Sequence, residues 1–283
     1  MTVIEIPSPK QYFRSQASRP RKRFGQHFLT QPATAERIVD GAFLDPGDVV
    51  VEVGPGLGAL TRFVASRVRR LHLVELDRDL ARHLETLPFP SSCLLTVHQQ
   101  DVLTFDFAGL EAPSSPSLIV LGNLPYNITS PLLFRLLDSA SAIRRCVFMV
   151  QKEIGRRMTA QPGTGDYGVL SVLLAVHART EALFTVKPGQ FHPPPKVDSL
   201  VVRLEFRREP LLEGVPFPFL SRVVKTAFQQ RRKTLANSLK PLAEPKLLEQ
   251  ALETSSIDGR RRPETLELEE FLRLGKALKA AGS

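Results

Sequence analysis

The 283-residue chain has no tryptophan, only two cysteines, three tyrosines and three methionines. Both thiols, Cys93 and Cys146, fall in apolar runs that read as strands, and the sequence holds no CxxC pair and no histidine cluster. That excludes a zinc ribbon and a disulfide framework, and predicts buried thiols in a reducing compartment with no bound metal. No apolar run approaches the ~18 residues of a membrane span, and no leader pattern opens the chain. A cytoplasmic protein with no membrane partner is therefore expected. Internal repeats and extended low-complexity segments are also missing, which excludes a solenoid.

Negative charge is in short supply. Asp and Glu number 29 against 38 Lys and Arg, leaving a net charge of +9 and a pI near 9.9. A basic surplus suits a polyanionic partner, because each cation set against a phosphate releases a condensed counterion. Taken alone it suits a bland basic protein equally well. The apolar share of 42% and charged share of 24% are ordinary for a globular fold, and the length fits one full-sized domain with a small one. Residues 1–22 place Lys10, Arg14, Arg19, Arg21 and Lys22 among Pro7, Pro9 and Pro20. This reads as a flexible basic arm, either an RNA contact or a solvated tail.

From there the chain alternates short apolar runs with helical stretches. Strands are predicted at 49–53, 71–76, 93–97, 118–122 and 146–150, with a helix at 59–69 and another near 132–137. Such alternation implies a mostly parallel sheet covered on both faces. Two further β-rich runs, 182–186 and 200–206, suit an antiparallel closure. After a proline-rich stretch at 210–218 the pattern turns helical. The expected organisation is α/β: a Rossmann-like sheet domain over 23–207, then a small all-helical domain over 208–283.

The first strand runs into Glu52-Val53-Gly54-Pro55-Gly56-Leu57-Gly58. Glycines there let the backbone turn sharply and approach a ligand with no Cβ in the way. A dinucleotide site would read G-x-G-x-x-G. The variant here, E-x-G-x-G-x-G, suits S-adenosylmethionine, which has a ribose but no pyrophosphate to cradle. Glu75, ending the second strand with Leu76 beside it, would hold the ribose hydroxyls. Asp101, after the third strand, would accept from the adenine 6-amino group with Val102 packed nearby; a turn-capping aspartate is the alternative.

Asn123-Leu124-Pro125-Tyr126 follows the fourth strand. A plain loop is the simplest reading, but the residues suit a chemical task. An exocyclic adenine amine is a poor nucleophile because its lone pair is delocalised into the ring. The Asn123 side-chain oxygen and the Leu124 carbonyl are expected to accept its two N–H groups. Pro125 keeps Leu124 extended, and Tyr126 offers a face on which a base can stack.

Here the chain resembles the 16S ribosomal RNA adenine dimethyltransferase family, from about residue 23 to the end. Four segments carry the likeness: Lys22-Arg23-Phe24-Gly25-Gln26-His27-Phe28-Leu29, the glycine loop with Leu60-Thr61, Asn123 to Tyr126, and Phe191-His192-Pro193-Pro194-Pro195-Lys196-Val197-Asp198-Ser199. The resemblance implies that His27, Leu29, Gly54, Gly56, Glu75, Leu76, Asp101, Val102 and Asn123 line the cofactor site. Without it, His27 reads as a cap or surface histidine. Phe191 would stack on the target adenine opposite Tyr126; read alone, it is a core aromatic. The implied reaction is two methyl transfers to each of two adjacent adenosines near the 3′ end of 16S rRNA in a maturing 30S subunit. A monomer suffices for that.

Near the C-terminus, Arg222, Lys225, Gln229, Arg232 and Lys233 recur at helical spacing beside an apolar stripe of Leu220, Val224, Phe228, Leu235 and Leu239. The run 228–235, including Arg231, resembles the family's C-terminal signature, so Arg222, Lys225, Arg231, Arg232 and Lys233 are the expected RNA contacts. A solvated charged face is the alternative. Three rival readings remain: a 23S rRNA adenine methyltransferase of the macrolide-resistance type, a non-catalytic assembly or transcription factor of the same fold, and a dinucleotide oxidoreductase. The segment 191–199 and the basic signature argue against the first. Retention of Glu75, Asp101 and Asn123 argues against the second, and Asn123 to Tyr126 against the third.

Overall fold

Near-continuous runs of Val, Ile and Leu become buried strands, and the computed structural model, which describes residues 4–17, 19–21, 25–110, 118–230 and 232–281, arranges them as follows. The strands are β1 (Phe28–Leu29), β2 (Val49–Val53), β3 (Arg70–Glu75), β4 (Leu94–Gln99), β5 (Leu118–Asn123), β6 (Ile143–Gln151), β7 (Ala178–Val186), β8 (Phe191–His192) and β9 (Ser199–Phe206). Seven of them form one sheet in the order β4-β3-β2-β5-β6-β9-β7. The first five in that order are parallel, and β9 runs antiparallel to β6. All five residues of β2 are buried, as a parallel strand covered on both faces requires. Strand order reverses at β2, which has β3 on one side and β5 on the other. In open α/β sheets a ligand crevice forms at such a switch point, beyond the carboxyl ends of the strands.

The helices are α1 (Pro9–Ser15), α2 (Pro32–Asp40), α3 (Thr61–Val64), α4 (Arg78–Thr86), α5 (Thr129–Asp138), α6 (Lys152–Thr159), α7 (Val169–His177), α8 (Phe217–Phe228), α9 (Leu235–Leu239), α10 (Pro245–Thr254) and α11 (Leu268–Ala281). A core cluster around Ile38, Val50, Leu71, Leu73, Ile119, Leu121 and Val147 packs α2 and α3 residues against the sheet. Among the described residues no helix is long and apolar enough to cross a membrane.

The chain divides into two compact units, Met1–Gly155 with Thr180–Arg208, and Arg156–Arg179 with Glu209–Ser283. The second unit therefore includes a segment that the sequence assigned to the sheet domain. The cause is local packing: Tyr167 donates its hydroxyl to the Leu266 carbonyl (3.0 Å) and sets its ring against Phe228. Leu211 N–H reaches the Val176 carbonyl, and His177 meets the Phe217 ring edge-on.

Three local expectations are corrected. The helix expected over 59–69 shrinks to α3, because Arg69 is already extended: its N–H bonds to Pro46 and its carbonyl accepts from Leu94. The basic C-terminal helix is not continuous. It breaks between α8 and α9, where the N–H groups of Leu235 and Ala236 turn to the carbonyls of Arg261 and Gly259. Lastly, the arm expected to be flexible contains α1, started by a reciprocal Ser8–Gln11 capping box with proline at its first position. Tyr12 anchors it in a small cluster with Phe28, Leu57 and Leu80.

Candidate functional site

The loop after β2 turns because Gly54 and Gly56 adopt φ of +62° and +60°, a region that disfavours any side chain. A Cβ at Gly56 would lie 3.2 Å from the Phe28 ring, so the bare backbone is also a matter of space. The Gly54 N–H bonds to the Val74 carbonyl, and the Gly56 N–H donates to Glu75 Oε2 at 3.1 Å. Glu75 Oε1 accepts from Asp77 N–H at 2.9 Å. One carboxylate thereby ties the glycine loop to the end of β3.

Glu75 is 7% exposed. Burial raises its pKa to about 7, against the pull of the backbone donors from Asp77 and Gly56. Glu52 is more deeply buried, and desolvation lifts it to about 8; Thr61 opposes that shift and Glu75 adds to it. Among the described residues Glu52 Oε2 has no hydrogen-bond partner.

A cavity opens where β2, β3 and β5 end. Every residue expected at the cofactor or the base lines it, Phe191 excepted: His27, Leu29, Gly54, Gly56, Glu75, Leu76, Asp101, Val102, Asn123, Leu124, Pro125 and Tyr126. Asp101 caps a turn, its Oδ1 accepting from Leu103 N–H at 2.9 Å, which is the alternative the sequence left open for it. Asn123 donates from Nδ2 to the His27 carbonyl at 2.8 Å. That bond fixes the amide and, among the described residues, leaves its oxygen as an uncommitted acceptor. His27 Nδ1 lies 2.8 Å from the Pro193 carbonyl, and its ring is 5.7 Å from that of Tyr126. The Tyr126 and Ser199 hydroxyls share a hydrogen bond of 3.0 Å. Burial pushes the Tyr126 phenol up, with Ser199 opposing.

Phe191 lies elsewhere. It pairs with Leu29 across the β1–β8 ribbon, while Phe28 pairs with His192. Alternation puts Leu29 and Phe191 on the same face, and both belong to the core cluster. Phe191 is 5% exposed and is not among the residues that line the cavity.

Sequence reasoning missed one wall of the cavity altogether. Ile6, Pro7, Pro9 and Leu80 line it. Arg21 pairs with Asp77 (2.7 Å) and Asp79, and Gln26 bonds Asp77 at 3.0 Å, fastening the chain that follows α1 to the start of α4. The S-x-x-Q pattern with Pro9 was the legible signal for α1. Lys22, Arg23 and Phe24 of the opening motif lie outside the described residues.

In the second unit Arg222 and Lys225 are exposed on α8, opposite a buried face of Leu220, Val223, Val224 and Ala227. Arg232 and Lys233 are exposed in the turn before α9, and Arg231 lies outside the described residues. Among the described residues no group of three or more His, Cys, Asp or Glu is placed to hold a metal ion.

The chain resembles known proteins along most of its length. The family model of ribosomal RNA adenine dimethylase matches residues 17–280. The ribosomal RNA small subunit methyltransferase A of Pseudomonas aeruginosa is 46% identical over 260 residues, covering 92% of this chain and 95% of the relative. That of Nitrosococcus oceani is 48% identical over 256 residues, covering 90% and 95%. Among solved structures, the 23S rRNA methyltransferase ErmE is 31% identical with a TM-score of 0.66, covering 89% of this chain and 99% of its own. A dimethyladenosine transferase from Plasmodium falciparum shares the fold, at 23% identity and a TM-score of 0.77 over 90% and 98%. The chain belongs to the ribosomal RNA adenine dimethylase family.

Proposed function

We propose that the chain transfers methyl groups from S-adenosylmethionine to the 6-amino nitrogens of two adjacent adenosines near the 3′ end of 16S rRNA, acting as a monomer on maturing 30S subunits. The small-subunit assignment is supported by relatives of 46–48% identity that carry that name. The observation that carries the chemistry is the bond from Asn123 Nδ2 to His27, which orients an amide acceptor into the cavity.

The donor set suits an adenosine bearing a charged sulfur. Glu75 keeps lone pairs for ribose hydroxyls after accepting two N–H groups, since a carboxylate has about four acceptor positions. Asp101 keeps one oxygen for the adenine amine, with buried Val102 beside the ring. Gly54 and Gly56 let backbone approach without a Cβ. When bound, S-adenosylmethionine supplies an electrophilic methyl group on a sulfonium. Asn123 Oδ1 and the Leu124 carbonyl then accept the two N–H groups of the target amine, favouring a tetrahedral nitrogen whose lone pair is free. Tyr126 holds the base by stacking, with its hydroxyl anchored on Ser199. Rate comes from alignment and these two polarising bonds, because the ammonium product sheds its proton without a strong base. Arg222, Lys225, Arg231, Arg232 and Lys233 would add phosphate contacts from the second unit.

Labelled methyl groups offered with undermethylated 30S subunits, 50S subunits and protein-free rRNA test the reading. Incorporation at adenine in 30S material is expected. Label confined to 50S would sink the substrate assignment, and none anywhere would sink the enzyme. Asn123→Ala is expected to abolish transfer while cofactor affinity changes by no more than a few fold; a large loss of cofactor binding would contradict the role given to that side chain.

A further inference from the structure

One charged group, next in sequence to the Ser199 that bonds Tyr126, takes no part in the chemistry above. Asp198 Oδ2 accepts from two ammonium groups, Lys187 Nζ at 2.9 Å and Lys152 Nζ at 3.3 Å. The three residues come from separate elements: Lys152 follows β6, Lys187 follows β7 and Asp198 precedes β9. Backbone fixes the arrangement, since Lys152 N–H bonds to the Asp198 carbonyl and Gln151 pairs with Ser199. Two cations share one anion, so the cluster carries a net positive charge. The Lys187 side chain is 72% exposed, and each ammonium has three donors. The neighbouring Ser199 hydroxyl bonds to Tyr126, so the cluster begins one residue from the ring that faces the cavity.

We propose that Lys152 and Lys187, with Asp198 as a positioning residue, form a phosphodiester site that grips the RNA backbone next to the target adenosine. The proposal rests on the target base lying against Tyr126. A nucleotide drawn out of its stack brings its flanking phosphates with it, and these arrive beside the base rather than at a remote surface. Lysine suits such a phosphate, being a compact charge with rotatable donors and no demand for a planar partner. The carboxylate holds together two ammonium groups that would otherwise repel, and the lysines in turn keep the Asp198 pKa below the usual carboxylate range.

Single-turnover methylation of undermethylated 30S subunits by the full chain, across RNA concentration and salt, provides the test. Lys187→Met and Lys152→Met are each expected to raise the half-saturating subunit concentration about 3–10-fold. The plateau rate and the affinity for S-adenosylhomocysteine should stay within about twofold. Each should also lower the log–log salt slope by about 0.7–0.9, the value of one lost phosphate contact. Lys187→Arg should restore most of the loss. Asp198→Asn adds a positive charge, yet is expected to weaken subunit binding because the lysines lose their anchor. Unchanged half-saturation in both methionine variants, or a lower plateau with unchanged half-saturation, would overturn the proposal. Tighter binding in Asp198→Asn would also overturn it, by reducing the lysines to general attraction. Failure of the unmodified chain to methylate adenine would instead strike the functional reading itself. Lys187 is exposed enough for its substitution to leave the fold intact, which keeps the test open if Lys152→Met destabilises the chain.

Discussion

Glu75 shows how one side chain serves both fold and ligand. Its two oxygens already accept from Gly56 and Asp77, and burial still holds its pKa near 7. Ribose hydroxyls donate to the ionised form, so a bound nucleoside favours loss of the proton. Affinity for S-adenosylhomocysteine is therefore expected to rise between pH 6 and pH 8, by up to about tenfold per pH unit below the pKa. Titration calorimetry in two buffers of different ionisation enthalpy should show proton release near pH 7. Glu75→Gln should bind more weakly and lose that pH dependence. A dependence that persists in Glu75→Gln would place the titrating group elsewhere.

Among the elements, α1 is where the sequence reading and the structure part most clearly. Strands β2, β5 and β6 were legible because a parallel strand buried on both faces must be apolar at nearly every position. The glycine loop, Glu75, Asp101 and Asn123 were legible because their chemistry is tied to strand ends. The α1 segment was passed over despite its S-x-x-Q start, since its charges and prolines outweighed that signal. Tyr12 is 7% exposed, with its ring against Phe13 and His83. The pairing of Phe191 was not legible for a different reason: which face a two-residue strand presents depends on its register with β1, and no spacing within the motif reveals that. Tyr12→Ala is expected to cost about 3 kcal/mol, as for other buried aromatics. Because Ile6, Pro7 and Pro9 wall the cavity, cofactor affinity should fall about tenfold as well. Chemical denaturation and calorimetry separate the two effects. Lower stability with unchanged affinity would confine α1 to a structural role.

For the molecule as a whole, the two buried carboxylates set how stability follows pH. Folding raises Glu75 to about 7 and Glu52 to about 8, so the folded chain holds protons that the unfolded chain has released above its ordinary carboxylate range. Where the folded state binds more protons, stability falls as pH rises. That fall begins near pH 4.5 and is complete once both groups ionise, near pH 8. His72, His83 and His98 act the other way, because burial lowers their pKa values and stability rises as pH climbs towards 6.5. The opposing contributions overlap below 6.5, which leaves the interval from 6.5 to 8 to the carboxylates, chiefly Glu52. A tenfold change in an ionisation constant corresponds to about 1.4 kcal/mol, so even part of the effect of burying Glu52 is visible in a melting curve. The ligand-free chain should therefore lose thermal stability between pH 6.5 and 8. Glu52→Gln keeps the side chain's size without the charge, and should flatten the decline and exceed the unmodified chain in Tm at pH 8. A slope unaltered by Glu52→Gln would show that the fold does not bear the cost of that buried charge, and would return the pH dependence to Glu75 alone.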